Sequence, residues 1–174
     1  METSLKLEYH GIHTLLDEIL DMYADKLREN SIRLEKSYSA APGLTLDRTQ
    51  MTGALSNLVA NGIDAMPEGG TLSIASREET LKGKPYLNLE IADTGAGIPG
   101  DRLDRIFEPF FTTKDLGRGT GLGLPICKMT IEDHGGFHSL HQPEGAGLDI
   151  HHPSALRPGG CRPRVSFFPR RRTG

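Results

Sequence analysis

Polar side chains recur at helical spacing between residues 57 and 64. Asn57, Asn61 and Asp64 stand at positions i, i+4 and i+7, so a helix would carry them on one face. Amides are good neutral ligands for a hard cation that phosphate oxygens already hold. A solvated helix face would show the same spacing, so this pattern alone leaves a metal site and an ordinary surface equally open.

The segment from 93 to 98 places an acid and two glycines directly after an apolar run. Gly95 and Gly97 would let the backbone approach a flat ligand, because they carry no Cβ. Asp93, at the end of the run, could accept a hydrogen bond from an exocyclic amine of that ligand. A tight turn has the same composition, so this segment is weak evidence by itself.

Residues 117 to 124 give a stronger signal. Four alternating glycines lead into a predicted helix, whose exposed N–H groups and positive dipole end favour phosphate. Leu122 and Leu124 lie among these glycines, which fits an ordered loop better than a flexible linker. The segment is neither a dinucleotide fingerprint nor a P-loop, because no βαβ unit surrounds it and no Gly-Lys-Ser/Thr follows.

Between the two glycine segments, residues 106 to 114 hold three of the six phenylalanines. A core patch under a mobile loop is the conservative interpretation. Lys114, at the end of this segment, could reach a terminal phosphate as a point charge, although an exposed lysine is commonly just a surface residue.

The surrounding elements follow from periodicity and helix-ending residues. Apolar residues predict an amphipathic helix over 13–27, a second helix from a cap at Asp47 to about Met66, and a third over 122–133. Strands are predicted at 32–38, 44–46, 71–76, 86–92, 137–140 and 148–150. This order predicts an α/β fold, a two-layer sandwich with helices on one face of a mixed sheet. Residues 93–123 would form a long ordered loop around a ligand.

Composition bounds the class of protein. The chain has 174 residues and 36% hydrophobic content, which fits one compact domain over residues 1–152. Residues 153–174 hold six of the 20 basic residues, no acidic residue and four prolines, and are expected to be a disordered tail. Residues 1–152 therefore carry 14 basic and 23 acidic residues, a formal charge of −9, which argues against general nucleic-acid binding.

Two cysteines and the absence of a signal peptide or a long apolar run predict a cytoplasmic chain without membrane contact. The parent protein could still be attached to the inner membrane.

Taken in order, these segments resemble the ATPase domain shared by histidine kinases, DNA gyrase, heat-shock chaperones and mismatch-repair ATPases. Residues 57–66 are similar to its N box, 93–98 to the first glycine box, 106–114 to the F box and 119–124 to the second glycine box. The resemblance implies a Bergerat-type sandwich that binds ATP and Mg²⁺ under a lid of roughly residues 99–120.

The resemblance also implies roles for individual residues. Asn61 would ligate magnesium with help from Asn57, Asp93 would bind the adenine amine, and Lys114 would approach the γ-phosphate. Asn57 and Lys114 are thereby the candidate catalytic residues. The other implied nucleotide-binding positions are Asp64, Ala65, Gly95, Gly97, Ile98, Gly119, Thr120, Gly121, Leu122, Gly123 and Leu124.

Residues 64–70 and 106–114 are similar to histidine kinases rather than to the hydrolytic branches of this superfamily. Those branches carry a glutamate where this chain has Gly53, which cannot act as a general base for water. The resemblance therefore implies the catalytic domain of a two-component histidine kinase, whose partners are a phosphoacceptor hairpin and a response regulator. Neither His10 nor His13 has the acid that follows the family's acceptor histidine, so the acceptor is expected outside this chain.

The alternative is a non-catalytic or anti-sigma-type nucleotide-binding regulatory module. At the other end of the chain, residues 144–147 resemble a third glycine box in which Leu148 replaces the usual threonine. The last strand is therefore expected to depart from the family pattern, and nucleotide affinity could be reduced.

Overall fold

A computed structural model of the chain describes residues 5–39, 43–81, 84–102, 104–112, 119–141 and 162–167. Its helices are α1 Ile12–Met22, α2 Ala24–Glu29, α3 Arg48–Asp64 and α4 Gly123–Asp133, with a 3₁₀ turn at Gly100–Arg102. Its strands are β1 Glu8–His10, β2 Ile32–Tyr38, β3 Leu44–Leu46, β4 Gly70–Leu81, β5 Lys84–Asp93, β6 Phe137–His141 and β7 Arg162–Phe167. No helix in these ranges is long and apolar enough to cross a membrane.

The main sheet has five strands in the order β2-β4-β5-β7-β6. β2 and β4 are parallel and the other pairs are antiparallel, so the expected mixed sheet is confirmed. β1 and β3 form a separate antiparallel pair. β1 was not predicted, because its three residues, EYH, lack the apolar alternation that marks the equally short β3.

Alternate residues of the central strands face the helices. Leu72 and Ile74 of β4, with Leu89 and Ile91 of β5, join buried side chains of α1, α3 and α4 in one core. Asp93 is the next residue of this alternation and is paired with Leu72 in the sheet, so its carboxylate is directed toward the same layer. It is only 7% exposed. The strand pattern thus positions an acid at the boundary between the sheet and α3.

The predicted helix over 13–27 is two helices. Tyr23 leaves helical geometry, with φ −101° and ψ 4°, and its N–H donates to the Leu20 carbonyl. The break brings the Tyr23 hydroxyl to 3.0 Å from Ser56 Oγ on α3. Apolar periodicity continues across Tyr23, because Leu27 on α2 enters the same core, and so it gave no sign of the break.

The expectation that residues 153–174 are entirely disordered is wrong for 162–167. These residues form β7, which lies between β5 and β6 and is antiparallel to both. A strand between two others can hydrogen-bond along both edges, and this backbone pairing outweighs the proline and arginine composition on which the expectation rested. The segments at 144–147 and 148–150 lie outside the described residues.

The start of α3 is fixed by the predicted cap. The Asp47 carboxylate accepts hydrogen bonds from the backbone N–H groups of Gln50 and Lys6, both at 3.0 Å. These bonds, the one from Gln50 first, lower the pKa of Asp47 and keep it ionised near the positive end of the helix. The N-box helix is thereby tied to the N-terminal segment.

His134 joins the same point to the end of α4. Its Nε2 accepts from the Asp47 backbone N–H at 2.8 Å, so its Nδ1 must carry the proton that is donated to the Thr130 carbonyl at 2.6 Å. The ring is 5% exposed. His134 is therefore a buried connector between α3 and α4.

We expect His134→Ala to lower the free energy of unfolding by about 2–4 kcal/mol, because it leaves a cavity and an unsatisfied buried N–H. Denaturant unfolding followed by circular dichroism measures the change. His10→Ala is the matched control, since His10 lies on β1 and is only partly buried. A loss below about 1 kcal/mol for His134→Ala would contradict a connecting role.

Candidate nucleotide site

A cleft of about 540 Å³ opens between α3, the loop after β5 and the start of α4. Most of the site residues implied by the sequence line it, namely Asn57, Asn61, Asp64, Ala65, Asp93, Gly97, Ile98, Gly119, Thr120, Gly121, Gly123 and Leu124. Gly95 and Leu122 are not among the lining residues. Lys114 lies outside the described residues.

One end of the cleft is built around Asp93. Its Oδ1 accepts a hydrogen bond from the Gly95 N–H at 2.9 Å, which fixes the turn that follows β5. A Cβ at Gly95 would lie 2.4 Å from the Ala65 carbonyl oxygen, so only glycine lets this loop pack against the end of α3. Gly95 therefore supports the loop that forms one wall of the cleft and is not itself a lining residue. The sequence predicted that it would flank the ligand.

Gly62 is a site residue that sequence analysis missed. A Cβ there would lie 3.0 Å from Leu72 Cδ1 and 3.6 Å from Asp93 Cβ, so the glycine allows α3 to approach the sheet at Asp93. A glycine inside an otherwise regular helix was the available signal, since it costs helix stability unless close packing requires it. The other missed lining residues are Leu58, Ala60, Ile91, Ala96, Ile106, Phe111, Thr112 and Pro125.

The opposite end of the cleft is the N-terminus of α4. Leu122 occupies the N-cap position without a side-chain cap hydrogen bond, and the first helical residues are Gly123 and Leu124. Helix N-termini carry unsatisfied N–H groups and a partial positive charge, so this end is suited to a phosphate group. Thr120 helps to hold the loop before α4, because its Oγ1 accepts a hydrogen bond from the Leu122 N–H at 3.4 Å.

Asn57 packs against this helix end. A Cβ at Gly123 would lie 2.4 Å from Asn57 Oδ1, so the amide group fits only because residue 123 is a glycine. Asn57 Nδ2 is buried and has no hydrogen-bond partner among the described residues. A buried donor beside an uncapped helix N-terminus fits an anionic ligand whose oxygen would satisfy it.

The F-box segment is attached to the second glycine segment. The Phe110 N–H donates to the Gly121 carbonyl at 3.0 Å, and a Cβ at Gly121 would lie 2.4 Å from the Phe110 carbonyl carbon. Both residues have a φ of +66°. For Phe110 this conformation is strained, and its ring is 75% exposed. Residues 106–112 and 119–124 thus meet at the rim of the cleft.

The described residues contain no group of three or more histidine, cysteine, aspartate or glutamate side chains that could hold a metal by themselves. A cation in this cleft would therefore need oxygens of a bound ligand in addition to protein side chains. Cys127 of α4 is no substitute ligand, because burial raises the pKa of its thiol to about 12.

These features define a class of protein. An apolar cleft with a buried carboxylate at one end and an uncapped helix N-terminus at the other is suited to a planar base joined to phosphates. The domain is a two-layer α/β sandwich with a nucleotide-type cleft.

The chain belongs to the family of histidine kinase-, DNA gyrase B- and HSP90-like ATPases, whose model matches residues 46–170. It is 30% identical to sporulation kinase C of Bacillus subtilis over 146 residues, which are 83% of this chain and 33% of that protein. It is 33% identical to the sensor histidine kinase ZraS of Escherichia coli K12, again over 146 residues and 83% of this chain, and 30% of that protein. The chain thus spans about a third of the length of these relatives.

Among solved structures, the catalytic domain of histidine kinase ThkA is similar with a TM-score of 0.76 and 28% identity. The match covers 94% of this chain and 96% of that one. The family and the fold predicted from the sequence are therefore confirmed. The family match also continues past residue 152, across β7.

Proposed function

We propose that this chain is the ATP-binding catalytic domain of a two-component sensor histidine kinase. It would transfer the γ-phosphate of ATP to a histidine on a helical hairpin, which would pass it to a response regulator. The observation that carries the proposal is that one cleft has the buried Asp93 carboxylate at one end and the uncapped N-terminus of α4 at the other.

Each end of the cleft has a distinct task in this proposal. Asp93 would accept a hydrogen bond from the exocyclic amine of adenine, while Ala65 and Ile98, which line the cleft, would contact the base. The backbone N–H groups from Gly119 to Leu124, with Thr120, would bind the phosphates, and Lys114 would approach the γ-phosphate. Asn61 and Asn57 would hold Mg²⁺, which neutralises phosphate charge during transfer.

The identity of residue 53 favours transfer over hydrolysis, because a glycine has no side chain that could act as a general base for water. This position on α3 is exposed, and a Cβ there would meet no other atom within 4 Å. The hydrolytic branches carry a glutamate at this position as the general base for water, and Gly53 cannot take that role. An imidazole acceptor needs no such base, because a neutral imidazole nitrogen is already nucleophilic and chiefly requires positioning.

Two of the described histidines, His13 and His134, are unsuited to be the acceptor because their rings are already engaged inside the domain. The His13 ring stacks on Tyr38 with centroids 4.3 Å apart, and its Nε2 lies 2.7 Å from Ser76 Oγ. His134 uses both ring nitrogens in hydrogen bonds. The proposed acceptor is therefore a histidine of a separate hairpin domain.

Two assays test the proposal. Calorimetric titration with a non-hydrolysable ATP analogue, with and without magnesium, should show magnesium-dependent binding. Incubation with γ-labelled ATP and the isolated hairpin of a related kinase should then label the hairpin histidine in an acid-labile form. Binding without transfer to any hairpin would favour the alternative, a regulatory module that uses ATP only to set a conformation.

Exposed apolar side chains indicate where the hairpin would dock. Phe110, Ile126 and Met129 are 75%, 55% and 61% exposed, and we call them the apolar rim. Phe110 is hydrogen-bonded to Gly121, and Ile126 follows the cleft-lining Pro125, so the rim borders the phosphate end. An apolar helix face of the partner would cover it and bring a histidine toward the γ-phosphate.

We expect Ile126→Glu to reduce phosphotransfer to the hairpin by at least about tenfold, because it places a charge in an apolar interface. The affinity for ATP should stay within about twofold, since Ile126 does not line the cleft. Met22→Glu is the matched control, because Met22 is 64% exposed at the end of α1. Equal transfer rates for the two variants would exclude the apolar rim as the docking surface.

A further inference from the structure

Lys26 forms an ion pair with a residue of the cleft. Its Nζ lies 2.6 Å from Asp64 Oδ1, although the two residues are 38 positions apart in sequence. Asp64 is the last residue of α3 and lines the cleft. Through this contact α2 reaches the nucleotide site, which none of the motifs in the sequence indicated.

The position of Lys26 is determined by two anchors of the chain around it. The Tyr23 hydroxyl lies 3.0 Å from Ser56 Oγ on α3, and Leu27 is 5% exposed in the core. The α3 contacts at Ser56 and Asp64 are eight residues, or about 12 Å, apart along the helix axis. The short helix α2 is therefore held alongside α3, and the ion pair follows from that packing.

Asp64 presents an electrostatic problem for an anionic ligand. It lies one helical turn beyond Asn61 and lines the same cleft, so its carboxylate faces the space that the phosphates and their cation would share. Like charges in a partly water-excluded cleft repel more strongly than in bulk solvent. Residues 1–152 already carry a formal charge of −9, which adds to this repulsion.

We propose that Lys26 is a positioning residue of the nucleotide site, which holds the Asp64 carboxylate and offsets its charge so that the cleft admits an anionic nucleotide. This inference rests on the proposed function. It assigns α2 a share in ligand selection, because the ammonium group favours phosphorylated nucleotides over an uncharged nucleoside.

The test compares ligands of different charge. Lys26→Ala should weaken ATP binding about three- to tenfold at low ionic strength and leave adenosine binding within about twofold. Lys26→Arg, which keeps the charge, should bind ATP like the wild type. Lys36→Ala is the matched control, because Lys36 is 43% exposed against 44% for Lys26 and forms a similar ion pair with Asp17.

A second substitution separates a role through Asp64 from direct contact with phosphate. In an Asp64→Asn background, Lys26→Ala should change the ATP affinity by less than about twofold, because the charge it offsets is gone. An undiminished loss in that background would overturn the role through Asp64. Equal losses for ATP and adenosine, with a lower melting temperature, would show that the ion pair only holds α2 in place.

The proposed function and this inference fail in different ways. If the wild-type chain binds no ATP, the proposed function is wrong and the role of Lys26 falls with it. If the wild type binds ATP and Lys26→Ala binds it equally well, only the role of Lys26 is overturned.

Discussion

Asn61→Ala is expected to reduce magnesium-dependent ATP binding by more than about 100-fold. Loss of an outer-shell partner of a metal site already costs about 10- to 100-fold, and Asn61 is proposed as a direct ligand. The cleft offers little replacement, because the described residues hold no cluster of acidic or histidine side chains that could capture the cation. Calorimetry with a non-hydrolysable ATP analogue measures the loss.

The same titration without magnesium provides the control. Under that condition Asn61→Ala and the wild type should bind the nucleotide equally weakly, because the substituted side chain would act only through the cation. Wild-type affinity of Asn61→Ala in magnesium would show that the metal ligands are elsewhere. An equal loss with and without magnesium would point instead to a damaged α3.

Asp93→Asn is expected to weaken ATP binding by about 10- to 100-fold, since hydrogen bonds to charged groups contribute about 1.5–3 kcal/mol. The substitution is conservative for the fold, because an asparagine oxygen can still accept from the Gly95 N–H that Asp93 Oδ1 now holds. In Asp93→Asn the second carboxylate oxygen is replaced by an NH₂ group. This group is a donor and cannot accept the hydrogen bond from the adenine amine.

The ligand itself supplies the control for Asp93. A purine ribonucleoside triphosphate that lacks the exocyclic amine should bind wild type and Asp93→Asn within about threefold of each other. A fluorescence competition assay measures the affinity of both proteins for both triphosphates. If Asp93→Asn lost affinity equally for the two triphosphates, Asp93 would act by shaping the loop and not by recognising the base.

The sequence predicted the fold well where local chemistry decides it. Asp47 as the cap of α3, the start of α4 after alternating glycines and the apolar alternation of β4 and β5 each depend on neighbours within a few residues. The cleft was predicted for the same reason, since its polar and glycine residues occur in compact segments.

Features that depend on distant pairing could not be predicted in this way. β7 has a composition typical of a loop, and only its neighbours in the sheet make it a strand. The ion pair of Lys26 with Asp64 and the contact of Asn57 with Gly123 join segments that no local pattern connects. Gly95 was assigned to the ligand from its spacing, whereas its close contact with Ala65 is visible only in three dimensions.

The place of β7 in the sheet has a consequence for synthesis on the ribosome. β7 is the last described strand in the chain, yet it lies between β5 and β6 and is the strand that joins them. A nascent chain that has not reached residue 162 exposes an unpaired edge of β5, and such edges favour pairing with other chains. Chaperone binding to the nascent domain should therefore persist until this strand has left the exit tunnel, although every residue of the cleft is made earlier.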